Sequence, residues 1–283
     1  MKSLLKNWYR FLHPRFQSLF LEYPVEMQPR FGQGKPPHPE LYQLINEGRE
    51  VYASLLQMVL QHRDYLVTIP KTADPAGIQP NWINGYLPGL DIATLYTLLV
   101  HFQPEQYVEV GSGNSTKVAA KAKRAHQLQT LMAAIDPNPR AEISQQVDQM
   151  IQQPFEKTDF SFLFSLKAGD ILFIDNSHRV LPNSDATVFF LEVLPRLQKG
   201  VIVHIHDIYL PEDYPPFMCE RFYSEQYLLA AFLLADPVKY KVLLPNYFVS
   251  QDDVLNRILK PLWSHPNLQG VEQHGGSFWL QIN

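Results

Sequence analysis

Tyr107-Val108-Glu109-Val110-Gly111-Ser112-Gly113-Asn114-Ser115-Thr116 is the stretch that decides how this chain folds. A short apolar run ends in two glycines, and a helical pattern opens directly after them. Glycines at such a corner let backbone N–H groups approach a ligand and point at it. The acid inside the strand, Glu109, sets the sign of that ligand. Phosphate-binding corners of this shape want positive potential, whereas a carboxylate beside the glycines suits an ammonium or sulfonium group.

Outward from this corner, strands and helices alternate. Helices read at 91–102, 115–126, 140–151 and 184–197, and strands at 106–110, 130–135, 171–174 and 201–205. Residues 150–157 carry no clear pattern. Tyr240–Leu244 and Tyr247–Val249 flank Pro245, and 277–280 reads as a last strand after Gly275-Gly276. Apolar strands separated by helices form a parallel sheet covered on both faces, hence a doubly wound α/β fold. Its domain spans 91–283. Residues 1–90 form an N-terminal helical and loop extension, with one amphipathic helix over about 39–62 and a proline- and glycine-rich loop over about 70–90.

Ligands of open parallel sheets sit beyond the carboxyl ends of the strands. Four successive strands each place an acid there: Glu109, Asp136, Asp175 and Asp207. Any one could cap a helix; four at one rim describe a site. Asp136 follows Gly113 by about 23 residues, where an acid accepts hydrogen bonds from a ribose diol. Two details favour S-adenosylmethionine over a nicotinamide dinucleotide. The sixth position of the glycine fingerprint is Thr116, and Glu109 is badly placed for a pyrophosphate.

Composition narrows the partners. The 283 residues carry a net charge of −4 and one cysteine, Cys219. An acidic balance argues against binding nucleic acid by phosphate neutralisation, and a single cysteine excludes a disulfide framework. Residues 1–12 mix Lys2, Lys6 and Arg10 with Leu4, Leu5, Trp8, Phe11 and Leu12. That run is too broken for a signal peptide and too short for a membrane span. It reads as a docking helix, with an interfacial helix as the alternative, and a cytoplasmic location follows by default. Expected partners are a small-molecule acceptor and further copies of the chain, with no nucleic acid and no membrane span.

The sequence resembles class I S-adenosylmethionine-dependent methyltransferases, in particular the bacterial group with a "methyltransferase domain 24" core. The resemblance rests on 108–116, Ile135-Asp136-Pro137, Gly169–His178, Gly200–Asp207 and Ser277–Leu280, and covers roughly residues 90–283. It implies a mostly parallel seven-stranded sheet whose last strand is antiparallel. It also implies cofactor contacts from Glu109, Gly111, Ser112, Gly113, Asn114, Ser115, Asp136, Pro137 and Asp175. Ser115 replaces the third glycine of the common turn, and 152–157 lacks the usual acid beside the adenine.

Transfer to a hydroxyl needs a proton acceptor or a metal that acidifies the hydroxyl. In catechol-type relatives the acid after the fourth strand is a metal ligand and a base follows three positions later; here these are Asp175 and His178. The same relatives use a second acid at Asp207, followed by an amide where this chain has Ile208. A related pattern pairs that aspartate with the residue before it, here His206. Asp175, His206 and Asp207 are thus the candidate ligands of a divalent metal such as Mg²⁺ or Mn²⁺. His204 reads as a core histidine. Trp82 and Tyr86 in the 70–90 loop, with Tyr209 and Tyr214 after the fifth strand, are the candidate acceptor contacts. The reading is O-methyl transfer to a small molecule such as a sugar or natural-product precursor. The alternatives are an NAD-dependent oxidoreductase, a non-catalytic S-adenosylmethionine-binding protein, and a methyltransferase of macromolecules.

Overall fold

The computed structural model describes residues 8–14 and 16–283. Lys2, Leu4, Leu5 and Lys6 of the expected docking helix lie outside the described residues. Residues 8–12 are helical, with Trp8, Phe11 and Leu12 exposed. No described helix is long and apolar enough to cross a membrane.

The expected helix over 39–62 is two helices, α1 (Pro39–Asn46) and α2 (Arg49–Gln61). Gly48 makes the break: a Cβ there would overlap the Tyr52 ring. Tyr52 uses that space to donate from its hydroxyl to the Ile45 carbonyl at 2.8 Å. Helix α3 (Gly89–Phe102) follows the 70–90 loop and is buried along almost its whole length.

Seven strands make one sheet: β1 (Gln106–Val110), β2 (Leu131–Ile135), β3 (Gln149–Ile151), β4 (Ile171–Ile174), β5 (Ile202–Ile205), β6 (Tyr240–Pro245) and β7 (Phe278–Ile282). Their spatial order is β3-β2-β1-β4-β5-β7-β6. The first five run parallel, and β7 is antiparallel to both β5 and β6. This is the doubly wound, mostly parallel seven-stranded fold expected. Strands β4 and β5 are buried at every position, as a sheet covered on both faces requires. The core runs without interruption from Leu41 to Ile282, so the N-terminal helices share it with the sheet.

Two local expectations are corrected. The helix expected at 140–151 shrinks to Ala141–Ser144, and its end is the edge strand β3. Asp148 causes the switch: its backbone N–H donates to the Met132 carbonyl and its carboxylate accepts from the Met132 N–H. The helix expected at 184–197 is regular only over Asp185–Val188, widens to a π-turn at Phe189–Val193 and ends in a 3₁₀ turn at Leu194–Arg196. Pro195 lacks the N–H needed to continue an α-helix. Residues Asn246–Gln251 after Pro245 form helix α6. Two further helices frame the site, α4 (Asn114–Ala125) after β1 and α5 (Glu225–Ala235) before β6.

Candidate active site

Parallel pairing puts the carboxyl ends of β1, β2, β4 and β5 at one rim, and the four strand-end acids arrive there together. At the first, Gly111 turns the chain with φ +84°. A Cβ at this position would meet the carbonyl oxygen of Asp175 on the neighbouring strand, so only glycine permits the approach. Gly113 leads into α4, where its N–H donates to Thr116 Oγ1 at 3.0 Å. Asn114 faces the other way and accepts from the Asn81 N–H at 3.0 Å, which ties the turn to the 70–90 loop.

Glu109 is fully buried, and Ser115 donates to its Oε1. Its Oε2 has no hydrogen-bond partner. Burial pushes the carboxyl up to about 8, reinforced by the charges of Asp175 and Asp136 and only partly offset by the hydroxyls of Ser115 and Thr116. Asp136 is half-buried, accepts from Ser112 Oγ, and accepts from the Asn138 N–H at 2.8 Å. Pro137 is exposed at the rim. An orphaned buried carboxylate oxygen, a side-chain-free corner and a strand-end acid on the next strand are what an ammonium-bearing nucleoside requires. The residues present fit S-adenosylmethionine.

Beside this corner lies a second cluster. His178 and Asp207 leave β4 and β5 with φ +62° and +54°. Left-handed backbone is uncommon outside glycine and persists where the surroundings impose it. His178 is buried; its Nδ1 donates to Glu225 Oε1 at 2.5 Å, and its ring stacks on Tyr223 at 4.8 Å. Its Nε2 faces Asp175 Oδ1 at 3.4 Å and Asp207 Oδ2 at 3.6 Å. His206 Nδ1 lies 3.6 Å from both Asp175 and Asp207, and its Nε2 lies 3.7 Å from Asp91. Among the described residues, the ion pairs of these four carboxylates are all to the two histidines.

Burial alone would lower both imidazoles, but the carboxylates outweigh it and hold each well above its ordinary value. In return, and against its own burial, Asp175 is held well below the usual carboxylate range. Asp175, His178 and His206 each offer a ligand atom, all within 4.8 Å of one another. Mixed carboxylate and imidazole donors, with more acids than bases around them, fit a divalent cation. The geometry thus brings His178 into the group expected to be Asp175, His206 and Asp207, with Asp207 facing both rings.

Two contributors had no role assigned from the sequence. Asp91, in the first turn of α3, is fully buried and accepts from the N–H groups of Gly276 (2.8 Å) and Ser277 (3.0 Å) and from Asn246 Nδ2 (2.7 Å). It fixes the floor beneath His206. Glu225 opens α5 and holds His178 from behind. Gln226 is structural, taking the Tyr209 N–H at 2.9 Å and donating to the Glu212 carbonyl at 3.1 Å. His204 sits in the core as expected, stacked on Phe173 at 3.6 Å with Ser277 Oγ 2.7 Å from its Nε2.

The acceptor contacts need correction. Trp82 is buried against Trp263 and Tyr214 is fully buried with its hydroxyl on the Gln226 N–H, so neither offers a free face to a ligand. Tyr209 is half-buried, held between Tyr214 and Tyr247. Tyr86 is exposed.

Residues 108–208 match the family model described as "Methyltransferase domain". A curated, uncharacterized protein of Archaeoglobus fulgidus is 29% identical over 94 residues, covering 31% of this chain and 42% of that protein, so the match spans less than half of the relative's length. Among solved structures, the S-adenosylhomocysteine-bound Podospora anserina methyltransferase PaMTH1 is 16% identical, with 80% of this chain and 88% of that chain covered at a TM-score of 0.44. The plantazolicin methyltransferase BpumL in complex with S-adenosylhomocysteine is 15% identical, with 86% and 99% covered at a TM-score of 0.41. The matched stretch, residues 108–208, carries the glycine corner and all four strand-end acids, so the site described above falls within the region similar to a methyltransferase domain.

Proposed function

We propose that this enzyme methylates a hydroxyl of a small molecule, such as a sugar or natural-product precursor, with a divalent cation held by Asp175, His206 and Asp207 and with His178 left free as the base. The observation that carries the reading is the pinned imidazole. Glu225 fixes Nδ1 of His178, which leaves Nε2 directed at the open ends of β4 and β5 beside the Glu109 corner.

Glu109, Gly111–Ser115 and Asp136 hold the donor, with Glu109 Oε2 taking its ammonium group and Asp136 its ribose hydroxyls. Transfer is an in-line displacement in which the acceptor oxygen bonds to the methyl carbon as the sulfur–carbon bond breaks. S-adenosylhomocysteine leaves with that electron pair, and most of the advantage comes from alignment. The hydroxyl proton goes to the carboxylate–imidazole cluster, with His178 Nε2 as its acceptor. The surrounding carboxylates favour protonated His178, so incoming positive charge, including the donor's sulfonium, helps to free that nitrogen. A divalent cation supplies Lewis acidity that makes the acceptor hydroxyl easier to ionise.

The single buried Cys219 and absence of a disulfide framework fit a reducing, cytoplasmic setting. The test is S-adenosylhomocysteine release against sugar and phenolic acceptors, by the wild type and by His178→Gln. A hydroxyl acceptor whose methylation is lost in the variant supports the reading; methylation only of amines or thiols defeats it.

A further inference from the structure

Residues 8–12 and 16–25 form a strap whose large apolar side chains are exposed. Trp8 is 61% exposed, Leu12 70%, Phe20 81% and Tyr23 80%, and Leu19, Phe20 and Leu21 are exposed in succession. Side chains of this kind normally find a partner when grouped. The far end of the strap is tied down. Met27 packs against Tyr214, Met218, Cys219 and Tyr223, and Asp213 accepts from the N–H groups of Arg30 (2.7 Å) and Phe31 (2.9 Å). Tyr223 is the ring stacked on His178, so the strap leaves the body on the side of the candidate base. Between Leu21 and Val25 of the strap and Ala230 and Leu234 of α5 lies a cavity of about 730 Å³.

Charge says what covers it. The first 21 residues hold Lys2, Lys6, Arg10 and Arg15 and no acid, giving +4; with −4 on the whole chain, residues 22–283 carry −8. Lys2, Lys6 and Arg15 enter this count from the sequence alone. A basic strap on an acidic body faces an anionic surface strap first and turns the body away from it.

The arrangement of the apolar groups favours a fluid partner over a folded one. A protein groove takes one stripe at spacings of three and four. Here consecutive residues are exposed both in the helical turn at 11–12 and beyond it at 19–21. A lipid boundary receives side chains on all sides, and Trp, Tyr and Phe beside Lys and Arg is the composition that lies in it.

We propose that residues 8–25 seat this protein on an anionic lipid surface, with the aromatic and aliphatic side chains in the headgroup boundary and Arg10 and its basic neighbours against lipid phosphates. The protein carries its own reporter. Of its four tryptophans, Trp82, Trp263 and Trp279 are buried and Trp8 is exposed.

The test uses the full chain with vesicles of phosphatidylcholine alone or with about 30 mol% phosphatidylglycerol, read by co-sedimentation and tryptophan emission. With anionic vesicles the emission shifts to the blue and partitioning rises at least about tenfold over neutral vesicles, and about 0.5 M NaCl reverses both. The triple substitution Trp8→Ser, Phe11→Ser, Phe20→Ser and, separately, Lys6→Glu with Arg10→Glu each cut partitioning about tenfold or more. Unfolding temperature stays unchanged in the triple variant, because Trp8, Phe11 and Phe20 are exposed. Absence of binding to anionic vesicles overturns the proposal, as does binding indifferent to lipid charge. So does a dimer in light scattering that the triple variant dissociates while the wild type ignores vesicles; that result assigns the strap to a second copy of the chain.

Discussion

Glu109→Gln removes the one buried acid whose proton balance the fold disturbs most usefully. The amide keeps an oxygen for Ser115 but cannot ionise. In the folded chain burial raises the Glu109 carboxyl to about 8, against an ordinary value near 4.5. Each tenfold change in proton affinity corresponds to about 1.4 kcal/mol, so the rise from near 4.5 to about 8 amounts to about 5 kcal/mol. The sign follows from which state holds the proton. Between the two values the native chain keeps it and the unfolded chain has lost it, so stability falls as pH rises. The contribution is fully present below about pH 4.5 and gone above about pH 8. The wild type should therefore lose stability relative to Glu109→Gln across that interval, until the variant stands higher by up to about 5 kcal/mol, or roughly 10 °C in unfolding temperature. Urea unfolding of both ligand-free proteins from about pH 5 to about pH 8.5 measures the difference, in which the titrations common to both cancel. Parallel profiles would refute the reasoning, because they would mean that Glu109 is solvated or already paired.

Other expectations test the rest of the rim. Gly111→Ala places a methyl group against the Asp175 carbonyl at φ +84°, and should cost about 1–3 kcal/mol from backbone strain, more from the displaced turn, in urea unfolding. Asp136→Ala removes a charged hydrogen-bond acceptor and should weaken S-adenosylhomocysteine binding about 10- to 100-fold by calorimetry. His178→Gln should lower kcat about 10²- to 10⁴-fold and leave S-adenosylhomocysteine affinity within a factor of about two, since the imidazole faces the acceptor side. Chelation followed by Mn²⁺ addition should abolish and restore turnover with no comparable change in S-adenosylhomocysteine affinity.

What could be read in advance was local. The corner at 108–116 is legible because a glycine that must turn at positive φ announces itself beside the strand it ends. The rim acids follow from strand ends, which apolar runs mark. Contacts across the chain were hidden. Asp91 looks like an ordinary acid near the start of a helix, and its role depends on Gly276 and Ser277, 185 and 186 residues away. Glu225 acts on His178 across 47 residues, through a helix whose own pattern says nothing of its partner. Strand β3 was missed for the opposite reason: three residues at a sheet edge are too few to show a period, and Asp148 decides their pairing. Trp82 and Tyr214 were misjudged because aromatics in proline-rich loops look available, whereas the fold turns both inward.

The claim on which the enzyme reading stands is that Glu109 and its neighbours at the strand ends receive a cationic nucleoside. Calorimetric titration with S-adenosylhomocysteine at about pH 7, in two buffers of different ionisation enthalpy, tests it most directly. Burial favours the protonated form of Glu109 in the free protein, so it must give up its proton to pair with the ligand's ammonium group. Tight binding with close to one proton released per ligand is expected, and weaker binding without that release in Glu109→Gln. Failure to bind, or the same proton count in both proteins, would contradict it.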